Sequence, residues 1–433
     1  WRFIMSSARR WRRGRRSRIR AVSCAATRST SSRSVVPAAE AHVLGVPAPG
    51  DRAAAVAAGG GDVTLIDIPA EAELTEPVRI SLAGTGGDIV RAHHVVRVGR
   101  FARGTIVVEH SGTADYTELL SVLAGDGSQL TIVTLQDWED DAHHLGQHDV
   151  VVGRDASVRH IAVTIGGGIV RLNTNATYAG PGGSFEGLGV YFADAGQHLE
   201  HRLFVDHEAP HCSSNVEYKG ALQGETAHTV WVGDVLIRAA AEGTETYELN
   251  RNLVLTDGAR ADSVPNLEIE TGEIEGAGHA STTGRFDDQH LFYLMSRGIP
   301  EDEARRLVVR GFFASIVQRV GIPEVAERIT LGLDTLLVLA ESRHIARVLR
   351  ASVKLAPLPE VPGLDLSSRF RVAHESELVG GDFIDGHDPA TARATAPAPN
   401  RPAGAGRPPP GSGAASAGRP PPSSAAPGGC GLR

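Results

Sequence analysis

Cysteine is nearly absent from this chain. The three present, Cys24, Cys212 and Cys430, lie too far apart for a CxxC-type metal motif and build no disulfide framework, which points to a reduced, cytoplasmic setting. Lysine is equally scarce: only Lys219 and Lys354 among 43 basic residues, a bias that GC-rich coding explains without any demand for guanidinium. No apolar run approaches the ~20 residues that span a bilayer, so a membrane protein is not expected. No GxxxxGK[ST] phosphate loop occurs, so the chain is not expected to hydrolyse ATP itself. The net charge of -8 conceals an asymmetry, because residues 1–33 carry eleven Arg and no acid, and residues 389–433 carry five Arg and no acid. The middle is therefore strongly acidic, which argues against wrapping nucleic acid.

What remains is rich in glycine (50), poor in aromatics (5%), and dense in short Val, Ile, Leu and Thr runs. From Val63 onward one theme repeats, a short apolar strand, a turn with Gly or Asp, then another strand. Turns at Gly125-Asp126-Gly127, Gly153-Arg154-Asp155 and Gly180-Pro181-Gly182-Gly183 recur 27 to 28 residues apart. Periodic short strands without intervening helices point to a β-solenoid, whose coils bury their apolar ladder only by stacking. A sandwich of antiparallel sheets is the competing architecture. The spacing of the turns and the lack of Asn-Gly hairpin signals favour the solenoid.

Helical periodicity begins near residue 285. Asp287 and Asp288 precede Leu291, Phe292, Leu294 and Met295, an N-cap opening a helix that stops at Gly298. Pro300 and three acids start a second, with Ala304, Leu307, Val308, Gly311, Phe312, Ser315 and Ile316 on one expected face. Gly321 ends it, and Pro323-Glu324 opens a third, short one. The expected organisation is a tail and linker over 1–60, a β core over 61–284, a helical partner-binding subdomain over 285–335, and an irregular, disordered tail over 336–433. The Arg- and Ser-rich start resembles an organelle transit peptide or a non-native extension, and residues 34–60 read as linker.

Three blocks carry a family resemblance: Pro265-Asn266-Leu267-Glu268-Ile269, Gly278-His279-Ala280-Ser281-Thr282, and residues 291–299. Upstream, residues 206–215 with Tyr218-Lys219-Gly220 add a fourth, and Arg251-Asn252-Leu253 a fifth. Together they resemble the SufB/SufD family of iron-sulfur cluster assembly proteins, over roughly residues 60–330. Gly278 and Ala280 around His279, and Leu294 after Tyr293, are similar to the SufD branch, whereas Ala277 departs from a cysteine common there. The resemblance implies a mainly β fold, a right-handed parallel β-helix flanked by helices. It implies a non-catalytic scaffold that pairs with a SufB-like paralogue and binds a SufC-like ABC ATPase through residues 286–320. Some complexes of the family are associated with reduced flavin, which no residue here marks.

His279, read as lying on a short Gly-flanked turn, is the candidate ligand for an iron-sulfur cluster or iron at the partner interface. A turn histidine with no chemistry is the competing reading. Phe292, Tyr293, Arg297, Leu307, Phe312 and Phe313 are the candidate partner-binding residues. His207, His211 and Cys212 form a denser set whose structural role outweighs metal binding, with Cys212 as apolar filler. The pairs His93-His94 and His143-His144, and His148 standing apart, are assigned no chemistry. The acidic run at residues 137–141 reads as a solvated loop. The rival functions are a β-helix enzyme acting on polysaccharide, which would need an acid pair in an open groove, and a purely structural solenoid.

Overall fold

The computed structural model describes residues 31–338 apart from 38, 39, 41, 42 and 88, so the expectations for residues 1–30 and 339–433 lie outside the described residues. Among the described residues seventeen strands form two sheets, alternating from β2 onward. The first sheet runs β1 (Ser32–Val36), β2 (Val63–Ile68), β4 (Val90–Val98), β6 (Asp115–Ala124), β8 (His143–Val152), β10 (Ile169–Tyr178), β12 (His198–His207), β14 (His228–Ile237) and β16 (Arg260–Ile269). The second runs β3 (Val78–Thr85), β5 (Arg103–Thr113), β7 (Gln129–Trp138), β9 (Ser157–Thr164), β11 (Ser184–Ala193), β13 (Ser213–Leu222), β15 (Glu245–Val254) and β17 (Gly276–Arg285). Each coil contributes one strand to each sheet, giving a parallel β-solenoid of about 8 turns. The solenoid expectation holds and the antiparallel sandwich does not.

One coil is 26 residues where Ile169 sits against His143, and 32 where Arg260 sits against His228, which brackets the spacing read from the turns. The turn glycines explain why that spacing is legible. A Cβ on Gly125 would stand 2.7 Å from the Val98 carbonyl oxygen, and one on Gly153 2.6 Å from that of Ala124. Both N–H groups donate to those same carbonyls at 2.9 Å, so the coils stack too closely there for any side chain. Between the sheets runs one continuous apolar core, including Val96, Val108, Tyr116, Val150, Val158 and Val205.

The outer faces differ. On β14 burial alternates strictly, as a half-solvated strand should, whereas β7 is buried at nearly every position. The reason is a helical cap over the second sheet. Helices α3 (Glu301–Val317) and α4 (Pro323–Val338) bury Val309, Phe313, Ile329 and Leu333 against Val133, Ile161 and Val190. Polar anchors fix the docking: Lys219 Nζ donates to the Phe312 carbonyl at 2.9 Å and Ser315 Oγ at 2.8 Å, and Arg319 ion-pairs with Glu186 and Glu217. Helix α2 (Asp288–Met295) precedes them, with Asp287 as its N-cap, as read from the sequence.

Four expectations are corrected. Residues 34–60 are not merely linker: β1 pairs antiparallel with β2, and helix α1 (Arg52–Ala58), capped by Asp51, rests on the outer face of the first sheet against Leu119. The buried stripe of α3 is Ala304, Val309, Phe313 and Ile316, so Leu307 and Gly311 of the expected face are exposed, and Ser315 meets the solenoid only through its bonds to Lys219 and Glu217. Helix α4 is not short, and it runs past residue 335. Within the acidic run, Asp137 and Trp138 are buried at the end of β7, and the exposed turn starts after them.

Candidate functional site

Among the described residues, the C-terminal end of the solenoid is left open. β16 and β17 close the list of strands in their sheets, each hydrogen-bonded along one side only among the described residues. Exposed Tyr247, Val264 and Ile269 surround this end, apolar surface that a sheet edge normally avoids. On α2, Phe292 is 73% exposed and Tyr293 56%. Arg297 stacks over the Tyr293 ring at 3.6 Å, so both side chains stand outward together.

His279 lies within β17, in extended ladder register with Glu248 of β15, and not on a flexible turn. Its side chain is 41% exposed, and Nδ1 stands 3.9 Å from Glu248 Oε1. Glu248 was not singled out from the sequence. Its side chain is 1% exposed and reaches inward over Gly233, where a Cβ would come within 2.3 Å of Oε2. Neither oxygen makes a well-formed hydrogen bond. Burial first, and then the Asp234 carboxylate, push its acid up to about 8, against a smaller opposing pull from the Asn266 backbone. At neutral pH Glu248 is therefore a protonated acid beside a solvent-facing imidazole. Such a pair can exchange a proton, or offer one nitrogen and one oxygen to a metal arriving at the open end.

The other candidates scatter. Phe313 is fully buried in the cap and presents nothing to a partner; Phe312 is half-buried beneath Lys219, and Leu307 is exposed. His207 is buried, bonded to Ser214 Oγ at 2.9 Å and stacked on Tyr178 at 4.7 Å. Desolvation holds its ring down to about 4, hence neutral. His211 is exposed on the following turn at positive φ, whereas Cys212 is buried with Sγ against the Gly180 and Pro210 carbonyls. These three do not converge on one point.

Three of the histidines assigned no chemistry, His94, His144 and His148, do converge, joined by His110, which the sequence did not single out. His94, His110, His144 and His148 surround Glu118 between the two sheets, so His148 does not stand apart. The available signal was strand parity: each falls on the inward-facing positions of its strand, as Glu248 does in Thr246, Glu248, Asn250, Asn252. A groove of about 1010 Å³ also runs along the starts of the second sheet's strands, past Ser157, Ser184 and Ser213. Its Glu186 is engaged by Arg159 and Arg319.

A two-sheet parallel β-solenoid, capped by helices on one face and ending in a histidine-bearing edge strand, is the class of protein this geometry defines. Residues 81–312 match the family described as SUF system FeS cluster assembly, SufBD core domain. The chain is 53% identical over 302 residues to an iron-sulfur cluster assembly SufBD family protein of Mycobacterium tuberculosis, covering 68% of this chain and 76% of that one. It is 50% identical over 306 residues to one of Mycobacterium leprae, covering 69% and 78%. The iron-sulfur cluster assembly protein SufD of Escherichia coli is more distant, 25% identical over 177 residues and 41% of each chain. The chain belongs to the SufBD family, and that membership supports a role in iron-sulfur cluster assembly by the SUF system. No helix among the described residues is long and apolar enough to cross a membrane.

Proposed function

We propose that the chain is a non-catalytic scaffold subunit of a cytoplasmic iron-sulfur cluster assembly complex, of the SufD kind. Its open end pairs with a SufB-like paralogue. The outward faces of α2 and α3, with Phe292, Tyr293, Arg297, Leu307 and Phe312, bind a SufC-like ABC ATPase. His279, backed by the Glu248 acid, is offered to an iron or cluster carried as cargo at the paired end, where the partner completes the ligand set. The observation that carries this reading is the β16 and β17 end, uncapped among the described residues, where edge strands, exposed apolar side chains and His279 coincide.

The test is co-expression of the full chain with both candidate partners, affinity purification through this chain, and anaerobic absorption spectroscopy. The reading expects a stoichiometric three-protein complex whose cluster absorbance is lost in His279→Ala with the complex intact. It also expects Phe292→Asp to release the ATPase without releasing the paralogue. Recovery of this chain alone would overturn the scaffold assignment, and cluster absorbance unchanged in His279→Ala would overturn the ligand role.

A further inference from the structure

Far from the open end, β5, β6 and β8 bring three imidazoles around a single carboxylate. Glu118 is 0% exposed, and its Oε2 stands 3.4 Å from each of His110 Nε2, His144 Nε2 and His148 Nε2. His94 Nε2 lies 3.9 Å from the other oxygen. An imidazolium donating to a carboxylate normally closes to about 2.7 to 2.9 Å, so these contacts are long for ionic hydrogen bonds. Two ligand atoms bound tetrahedrally to one ion at about 2.0 to 2.1 Å sit about 3.3 Å apart. The spacing of each histidine nitrogen from Glu118 Oε2 fits that second arrangement.

The proton positions sharpen the point. His110 Nδ1 lies 3.1 Å from the Leu135 carbonyl oxygen, which can only accept, so Nδ1 carries the hydrogen. Nε2, buried and without a well-formed hydrogen bond, is then the ring atom aimed at the carboxylate. A cation held between that nitrogen and the carboxylate would satisfy both. An N–H donated to a backbone carbonyl is also the usual support behind a metal-ligating histidine. His144 is different: Trp138 Nε1 donates to its Nδ1 at 3.1 Å. To bind through Nε2 it must give up that contact or bind as imidazolate. With the imidazolate, a dication, Glu118 and His144 sum to zero charge, the arrangement that costs least inside a dry core.

We propose that His110, Glu118 and His144 form a site for a divalent first-row transition-metal ion between the two sheets, with His110 and Glu118 as its fixed ligands. The ligand atoms of these three residues all lie within 4.8 Å of one another. The mixed nitrogen and oxygen donors suit zinc, cobalt or ferrous iron over magnesium or calcium. Since the site is fully buried, the ion enters as the chain folds or when coils part. The site is independent of His279 and of the proposed scaffold role.

The experiment is expression of the full chain with zinc supplied, and separately refolding with one equivalent of Co²⁺. Metal per chain is measured after dialysis, and the Co²⁺ visible spectrum is recorded. Expected are one ion per chain, a tetrahedral-type cobalt spectrum, and a higher urea midpoint with metal than after chelation. His110→Ala and Glu118→Gln should each lower metal content by at least about tenfold. His143→Ala, an exposed ring bonded to Asp115, and His279→Ala should retain it. Should the core variants misfold, anomalous scattering at the metal edge from wild-type crystals decides: a peak among the three residues supports the site, and a peak elsewhere or none overturns it. Metal content unaffected by His110→Ala in a folded protein would also overturn it.

Discussion

Two glutamates are buried inside the same solenoid, Glu118 on β6 and Glu248 on β15, at 0% and 1% exposure. Burial drives both carboxyls toward the neutral acid. At Glu118 the surrounding His110, His144 and His148 outweigh burial and hold the group well below the ordinary carboxylate value. At Glu248 the nearest charge is another carboxylate, Asp234, and the group rises to about 8. The same residue type in the same kind of interior is thus an anion near one end and an acid near the other. Desolvation sets the cost of charge, and the neighbours decide whether the charge survives.

The largest way to break this contrast is Glu118→Gln, which removes the buried carboxylate that the surrounding imidazoles face; a loss of about 3 to 5 kcal/mol is expected in urea denaturation. A loss under about 1 kcal/mol would mean that the cluster is not electrostatically coupled. The second test is pH. Folded Glu248 holds its proton up to about 8 against 4.5 for the free group, so its contribution is complete below 4.5 and is lost as pH rises through about 8. Glu248→Gln should flatten that alkaline loss and gain about 1 to 2 kcal/mol above pH 8. An unchanged slope would place the titration elsewhere.

His207 supplies the opposite sign. Its ring is depressed from 6.5 to about 4, so its contribution is present above 6.5 and lost as pH falls toward 4. His207→Gln should reduce the acid-side slope by about 1 kcal/mol over that window. The smallest effect belongs to His279→Ala at the open end, within about 0.5 kcal/mol of wild type, because a half-exposed ring contributes little to folding. A larger loss would show that β17 depends on that ring to stay paired.

Much of the architecture was legible. The turn glycines announced the coil length, the Asp287 cap announced α2, and the family blocks located His279 and the Lys219 anchor. Misread were the elements whose partners lie far along the chain. The stripe of α3 was displaced because Leu307 and Phe312 satisfy helical spacing as well as Val309 and Phe313 do, and only the second sheet's apolar face selects between them. Residues 34–60 look like linker because β1 and α1 are short, and both gain their order from β2 and β6. Glu248 and the Glu118 cluster were missed because histidines and acids dispersed over five strands show no local motif.

By itself the sequence determined the repeat, the strand parity and the helix starts, since these depend on backbone sterics and on neighbours a few residues away. The tertiary structure alone decided which side chains share an interior. Stacking sets each residue beside others 26 to 32 positions distant, and the charge of a buried group is fixed by those neighbours and not by its place in the chain.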